Sequence, residues 1–341
     1  MPGAGLDLRR LALRSLRTVD RDVHLVLDPM RLALSLPQAA ALLAWERPAA
    51  IFTTGGYVAI PVLLAARLLR IPALLWEGNV MPGRSVRATA GLASAVAVSF
   101  SATCEALGET AGSSRPCLLT GTPIRDIGSA DRASARADLG VGDDERLVLI
   151  FGGSQAVRRL NDAVASALPR LVERAHVIHV TGDAGYGAAL AGREALPAKV
   201  RLRYRPAPFL RDEMPRALAA ADLVVGRAGS STLAEVTALG LPMVVVPYPH
   251  AGAHQAANAG VLAAAGAARL VDDGAFNTET LLGALSILDE PAALATMAAA
   301  ARDLGRPGAA GATAAILLAL AERRPIPDPA TIERISRGRP E

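Results

Sequence analysis

The 341-residue sequence predicts an α/β protein with parallel sheets, divided into two domains. Three observations carry this. Short runs rich in Val, Ile and Leu alternate with Ala/Leu/Arg stretches of helical period. Each apolar run ends in a Gly, Pro or Ser turn. One polar, glycine-bounded stretch, Gly128 to Glu145 (GSADRASARADLGVGDDE), interrupts the pattern and reads as the domain junction.

In chain order, the candidate strands before the junction are AAIFTTGG, ALLWEGN, AVAVSF and CLLTGTP. After it come RLVLIFGGS, HVIHVTGD, VRLRYRP, DLVVGRAG and PMVVVPYP. Ligands of open parallel sheets bind beyond the carboxyl ends of the strands, so chemistry is expected in the turns that follow them. Ahead of the first strand, Leu6 to Leu36 mixes Arg9, Arg10, Arg14, Arg17 and Arg31 with leucines. That pattern suits first a strand and helix with solvated arginines; the alternative is a segment lying on anionic lipid headgroups. The last stretch, from Pro325, is proline-rich and polar and is expected to be frayed.

Composition narrows the function. The net charge is +4, Lys199 is the only lysine, and aromatic residues make up 3% of the chain. With no basic stripe interleaved with stacking rings, nucleic-acid binding is not expected. No uncharged apolar run approaches the roughly 18 residues of a membrane span, and the N-terminal stretch lacks a signal-peptide layout. A cytosolic chain is expected, with Cys104 and Cys117 as reduced core thiols.

Four turns carry candidate chemistry. FGGSQAVRRLN opens an amphipathic helix, where Ser154 and Gln155 offer donors at the helix N-terminus. RAGSSTLAE follows a strand and supplies Gly229, Ser230, Ser231 and Thr232, with Glu235 one helical turn beyond Ser231. Its N–H groups suit phosphate and its carboxylate suits ribose hydroxyls; a plain helix cap with Glu235 in a capping role is the alternative. PYPHAGAHQAANA places His250, His254, Gln255 and Asn258 at the mouth of the same domain, with no third zinc ligand. In the first domain, TTGGYVAIP and LLWEGNVMPG bring Glu77 and Asn79 to strand ends, and Glu77 is the candidate general base. Neither a P-loop nor a G-x-G-x-x-G turn with its acidic partner is present.

Taken in order, TGGYVAIPVLLAARLLRIPALLWEGNVMPG, TGTPIR, FGGSQAVRRLN, ADLVVGRAGSSTLAEVTALGLPMVVVPYPH and HQAANA resemble the MurG family. These are the UDP-N-acetylglucosamine:undecaprenyl-diphospho-muramoylpentapeptide N-acetylglucosaminyltransferases of bacterial cell-wall assembly. The resemblance implies two Rossmann-like domains around a cleft, the GT-B architecture. Residues 1–126 would form the acceptor and membrane-side domain, completed by a helix at 308–324. Residues 127–307 would bind the UDP-sugar, and 325–341 would be a tail.

The implied reaction is an inverting transfer without metal or cofactor, from UDP-N-acetylglucosamine to the C4 hydroxyl of lipid-linked N-acetylmuramic acid. By matching position, the resemblance makes Arg125, Ser154 and Gln155 donor-site residues. Gly229, Ser230, Ser231 and Thr232 would receive diphosphate and uridine, Glu235 the ribose, and Leu210 the uracil. His254, Gln255 and Asn79 would hold the donor sugar, and the enzyme would sit peripherally on the cytoplasmic side of the membrane.

Two departures from the family pattern stand out. The chain reads Glu77-Gly78-Asn79 where the family commonly has Glu-Gln-Asn. It also begins after the family's first strand and glycine-rich, histidine-bearing turn, so the N-terminal domain is expected to lack a βαβ unit of roughly 30 residues, read as a misassigned start. Alternatives are a transferase of the same fold with another lipid or small acceptor, and a non-catalytic UDP-sugar binder.

Overall fold

Strands that are apolar on both faces must be covered on both faces, and this dictates parallel sheets sandwiched by helices. The computed structural model describes residues 7–11, 24–111, 115–128, 130–152, 158–249 and 253–338. Two units form, one of Met1–Thr120 with Gly311–Ile335 and a second of Gly121–Ala310 with Ser336–Glu341.

Unit 1 begins with α1 (His24–Glu46), β1 (Ile51–Thr53), α2 (Ala59–Leu68), β2 (Ala73–Glu77), α3 (Arg84–Thr89), β3 (Ala95–Val98), α4 (Ser101–Ala111) and β4 (Cys117–Leu119). Unit 2 follows with α5 (Arg132–Asp138), β5 (Leu147–Phe151), α6 (Arg158–Arg174), β6 (His176–Val180), α7 (Asp183–Glu194), α8 (Ala198–Arg201) and β7 (Tyr204–Ala207). It continues with α9 (Met214–Ala220), β8 (Leu223–Gly226), α10 (Ser230–Ala238), β9 (Met243–Val245), α11 (His254–Ala264), β10 (Ala268–Leu270), α12 (Thr278–Ala284) and α13 (Pro291–Leu304). The chain ends with α14 (Ala309–Ala321) and α15 (Pro329–Ser336).

All nine expected strands form, and both sheets are wholly parallel. Their orders are β1-β2-β3-β4 and β10-β9-β8-β5-β6-β7. Strand periodicity sends Leu74 and Leu75 to opposite faces of the first sheet. Leu74 packs with Ala97 and Leu118 under Ile316, Leu320 and Ile332 of α14 and α15. Leu75 packs with Val96 and Val98 under Val86 and Leu107 of α3 and α4. In unit 2, β5 and β6 are buried throughout, and Val148 and Ile150 meet Leu160, Val164 and Leu168 of α6.

Three expectations change. The polar stretch expected as the junction belongs to unit 2, where Asp222 anchors α5. Its buried carboxylate accepts from Leu147 N (2.8 Å), Arg132 Nη2 (2.7 Å) and Arg136 Nη1 (3.1 Å), so the charges satisfy one another. The tail is a helix: Asp328 caps it by accepting from Thr331 N at 3.0 Å, and Ile332 buries against the first sheet. Cys104 and Cys117 form a disulfide in place of two thiols, because α4 turns Cys104 toward the first residue of β4, with Cα atoms 5.8 Å apart. The expectation that no uncharged apolar run reaches membrane-span length is unchanged: Pro291–Ala321, apolar enough by composition to cross a membrane, contains Arg302, Asp303 and Arg306 and folds as two helices parted at Gly305, with Met297, Ala301, Ile316 and Leu320 buried.

A buried polar chain links β6, β7 and α6. His179 Nδ1 lies 2.8 Å from the Tyr204 hydroxyl and Nε2 lies 3.0 Å from Asn161 Oδ1, while Asn161 Nδ2 donates to Thr181 O. Burial pushes the His179 pKa down to about 4 and the Tyr204 phenol up.

Candidate functional site

The principal site is built at the carboxyl ends of the unit 2 strands. β8 ends on Gly226, where an added Cβ would stand 2.7 Å from Phe151 O, so only glycine lets β8 and β5 close at this point. The chain then turns, and α10 starts at Ser230 with Gly229 as N-cap in extended conformation. No side chain caps this end, so the first-turn N–H groups of Ser230, Ser231 and Thr232 have no intrahelical acceptor and face outward with the positive end of the helix dipole. Ser231 is exposed, while Ser230 and Thr232 are half-buried.

Glu235 does not serve as a cap. The residue that could close a capping box on Gly229 is Thr232, and Glu235 lies a turn further in, buried. Its Oε1 accepts from Arg125 Nε at 2.8 Å. Arg125 Nη1 in turn donates to Arg211 O at 3.3 Å, beside the half-buried Leu210 in the loop after β7. Three segments distant in sequence, TGTPIR, PFLRDEM and SSTLAE, therefore meet through one guanidinium.

Gln255, in the first turn of α11, holds the same turn from another side. Its Oε1 accepts from Ala228 N at 3.2 Å and Tyr248 N at 2.9 Å. Both acceptances fix the amide, so what Gln255 can present to a ligand is its Nε2 donor pair. Asn258, fully buried, donates to Ala228 O at 3.2 Å. His254 is the first residue of α11 and half-buried. Ser154, Gln155 and His250 lie outside the described residues.

In unit 1, Glu77 and Asn79 form their own group at the end of β2. Glu77 Oε1 accepts from Asn79 N and Asn79 Nδ2, both at 2.9 Å, and Oε2 accepts from Gly83 N at 3.1 Å. Thr103 Oγ1 donates to Asn79 O at 2.9 Å. A buried carboxylate holding three N–H donors braces its loop, with Oε1 engaged in positioning Asn79 and Oε2 in holding Gly83.

Sequence reasoning missed Arg227, although it opens the RAGSSTLAE motif. Its side chain is buried, with Nη1 donating to Val246 O (3.1 Å) and Asp273 Oδ1 (2.5 Å), and its guanidinium carbon 5.5 Å from the centre of the Tyr248 ring. The only signal available was an arginine directly after an apolar strand, where a charge must find a partner.

Comparison with known proteins adds the following. Residues 3–98 match the glycosyltransferase family 28 N-terminal domain, and residues 147–312 match the glycosyltransferase family 28 C-terminal domain. A UDP-N-acetylglucosamine--N-acetylmuramyl-(pentapeptide) pyrophosphoryl-undecaprenol N-acetylglucosamine transferase of Roseiflexus sp. is 37% identical over 334 residues, spanning 88% of this chain and 76% of its own. The enzyme of the same description from Corynebacterium efficiens is 38% identical over 325 residues, spanning 93% and 84%. Among solved structures, Acinetobacter baumannii MurG superposes with a TM-score of 0.70 at 28% identity, covering 90% of this chain and 83% of that one. A Listeria monocytogenes protein described as a UDP-N-acetylglucosamine 2-epimerase superposes at 0.65 with 17% identity over 87% and 82%, a likeness of fold alone.

Proposed function

The chain belongs to the MurG family within glycosyltransferase family 28, and we infer that it performs that family's reaction. It moves N-acetylglucosamine from UDP-N-acetylglucosamine to the C4 hydroxyl of lipid-linked N-acetylmuramyl-pentapeptide, with inversion at the anomeric carbon and release of UDP. Two Rossmann-like α/β units make up its GT-B architecture.

The observation that carries the residue assignment is the α10 turn, whose end has no side-chain cap and whose buried Glu235 is held by Arg125. In this reading the Ser230, Ser231 and Thr232 N–H groups bind the diphosphate and stabilise the charge that gathers on it as the sugar departs. Glu235 accepts the ribose hydroxyls, Arg125 adds positive charge beside them, and Leu210 lies against the uracil. The fixed Nε2 of Gln255 and the His254 ring address the donor sugar, and Ser154 and Gln155 complete the donor side. In unit 1, Asn79 is the proposed sugar-binding residue, and Glu77 positions it.

The proposed location is peripheral, at the cytoplasmic face of the membrane. Supporting it, Leu34, Trp45 and Leu68 stand exposed on the packed pair α1 and α2, with exposed Arg47, Arg67 and Arg70 nearby in sequence.

The decisive experiment supplies UDP-N-acetylglucosamine with either lipid-linked muramyl-pentapeptide or diacylglycerol and follows product by mass. Transfer to the muramyl lipid is expected. Transfer to diacylglycerol alone, or conversion of the UDP-sugar without an acceptor, overturns the assignment.

A further inference from the structure

A cavity of about 670 Å³ opens at the carboxyl edge of the unit 2 sheet, between the start of α6 and the start of α12. Its lining includes Arg158, Arg159, Asp162, Arg227, Tyr248 and Asp273, and, among the described residues, none of those assigned to UDP-N-acetylglucosamine. The volume falls in the range of small-molecule sites.

The charges in this cavity are unevenly spent. Asp273 serves two guanidiniums at once, Arg227 through Oδ1 at 2.5 Å and Arg159 through Oδ2 at 3.2 Å. Arg227 is thereby locked at the floor, over the Tyr248 ring. Arg159 also donates from Nη1 to Gly274 O at 3.3 Å, which leaves its Nη2 without a partner among the described residues. Arg158 is exposed at the mouth and forms no hydrogen bond or ion pair among the described residues. Asp162, on the next turn of α6, is exposed to solvent. Three guanidiniums against two carboxylates leave the cavity positive, and the unused donors sit on its wall and rim.

We propose that this cavity is a second anion site of unit 2 that binds the phosphoryl group of a small molecule, separate from the donor turn. Guanidinium forks fit phosphoryl oxygens in pairs, and Arg158 with Arg159 offers more donors than a single carboxylate has acceptors to use.

The test titrates inorganic pyrophosphate by calorimetry into the full-length protein already saturated with UDP. Pyrophosphate is expected to bind with UDP in place, and Arg158→Ala/Arg159→Ala is expected to weaken that binding at least tenfold. Arg158→Ala alone, which removes no hydrogen bond or ion pair among the described residues, should weaken it measurably while leaving the melting temperature unchanged. The proposal is overturned if pyrophosphate fails to bind once UDP is present, or if the double variant binds it as tightly as the parent.

Discussion

Arg125 Nε and Glu235 Oε1 meet at 2.8 Å across 110 residues of sequence. Arg125 is about half exposed, so the pair contributes little to stability. Its value lies in holding the Glu235 carboxylate in one orientation in the second turn of α10. Glu235→Ala is therefore expected to weaken UDP-N-acetylglucosamine binding by about 1–3 kcal/mol. Calorimetry with the donor measures this. Unchanged affinity with a lowered melting temperature would make Glu235 a structural residue only.

Gln255 gives a sharper substitution. In Gln255→Glu the carboxylate still accepts from Ala228 N and Tyr248 N, so the fold is kept, but the Nε2 donors are gone. Donor KM should rise by roughly tenfold, equivalent to the loss of about one hydrogen bond in the site. Gln255→Ala instead orphans two backbone N–H groups and should lower stability by about 1–3 kcal/mol. Steady-state kinetics and urea unfolding on the two variants separate the roles.

The His179 ring sets a pH dependence. Its folded pKa, about 4, lies below the ordinary value of 6.5, so the unfolded chain takes up the proton first. The stability it supports is fully present above pH 6.5 and is lost as pH falls from there through about 4, by on the order of 3 kcal/mol. Urea midpoints of the parent and His179→Gln, compared at pH 7, 5.5 and 4.5, should converge as pH falls. A constant gap would remove His179 from the acid response.

Cys104 and Cys117 are the chain's two cysteines, and the disulfide uses both. Thiol titration of the unreduced, denatured protein should find none, and reduction should cost about 2–4 kcal/mol. Two titrating thiols before reduction would show the bond to be unformed.

Membrane contact is checked on vesicles. Trp45 is 83% exposed and Leu68 is 75% exposed, so changing both to serine should not disturb the core. Partitioning onto anionic vesicles should weaken by about tenfold or more, since each buried apolar side chain contributes at most about 1.5–3 kcal/mol. Equal sedimentation of parent and variant would move the contact elsewhere.

Much of the fold is legible from local pattern because parallel strands need only an apolar run and a turn. β10 escapes that rule: Ala268–Leu270 is three residues long and lies in an alanine-rich stretch that reads as continuing α11. α15 escapes it too, since its prolines and charges mask the Ile332 and Ile335 pair that packs on the first sheet. Contacts between distant segments leave no local trace. The spacing of Cys104 and Cys117 does not reveal that α4 turns one toward the other, and nothing in Arg227 or Asp273 alone announces their pairing. The surroundings of Glu77 are illegible for a related reason: nothing in the local sequence shows that loop amides occupy a carboxylate near a strand end.

Unit 1 is closed by α14 and α15, whose Ile316, Leu320 and Ile332 cover Leu74 and Leu118. A ribosome makes all the strands of unit 2 before it makes those two helices. During synthesis, one face of the first sheet thus waits uncovered while the other unit already has all of its strands, and a premature stop after Ala310 would leave that apolar face bare to chaperones and proteases. Quality control of this enzyme is thereby tied to α14 and α15, far along the chain from the α10 turn proposed to hold the donor.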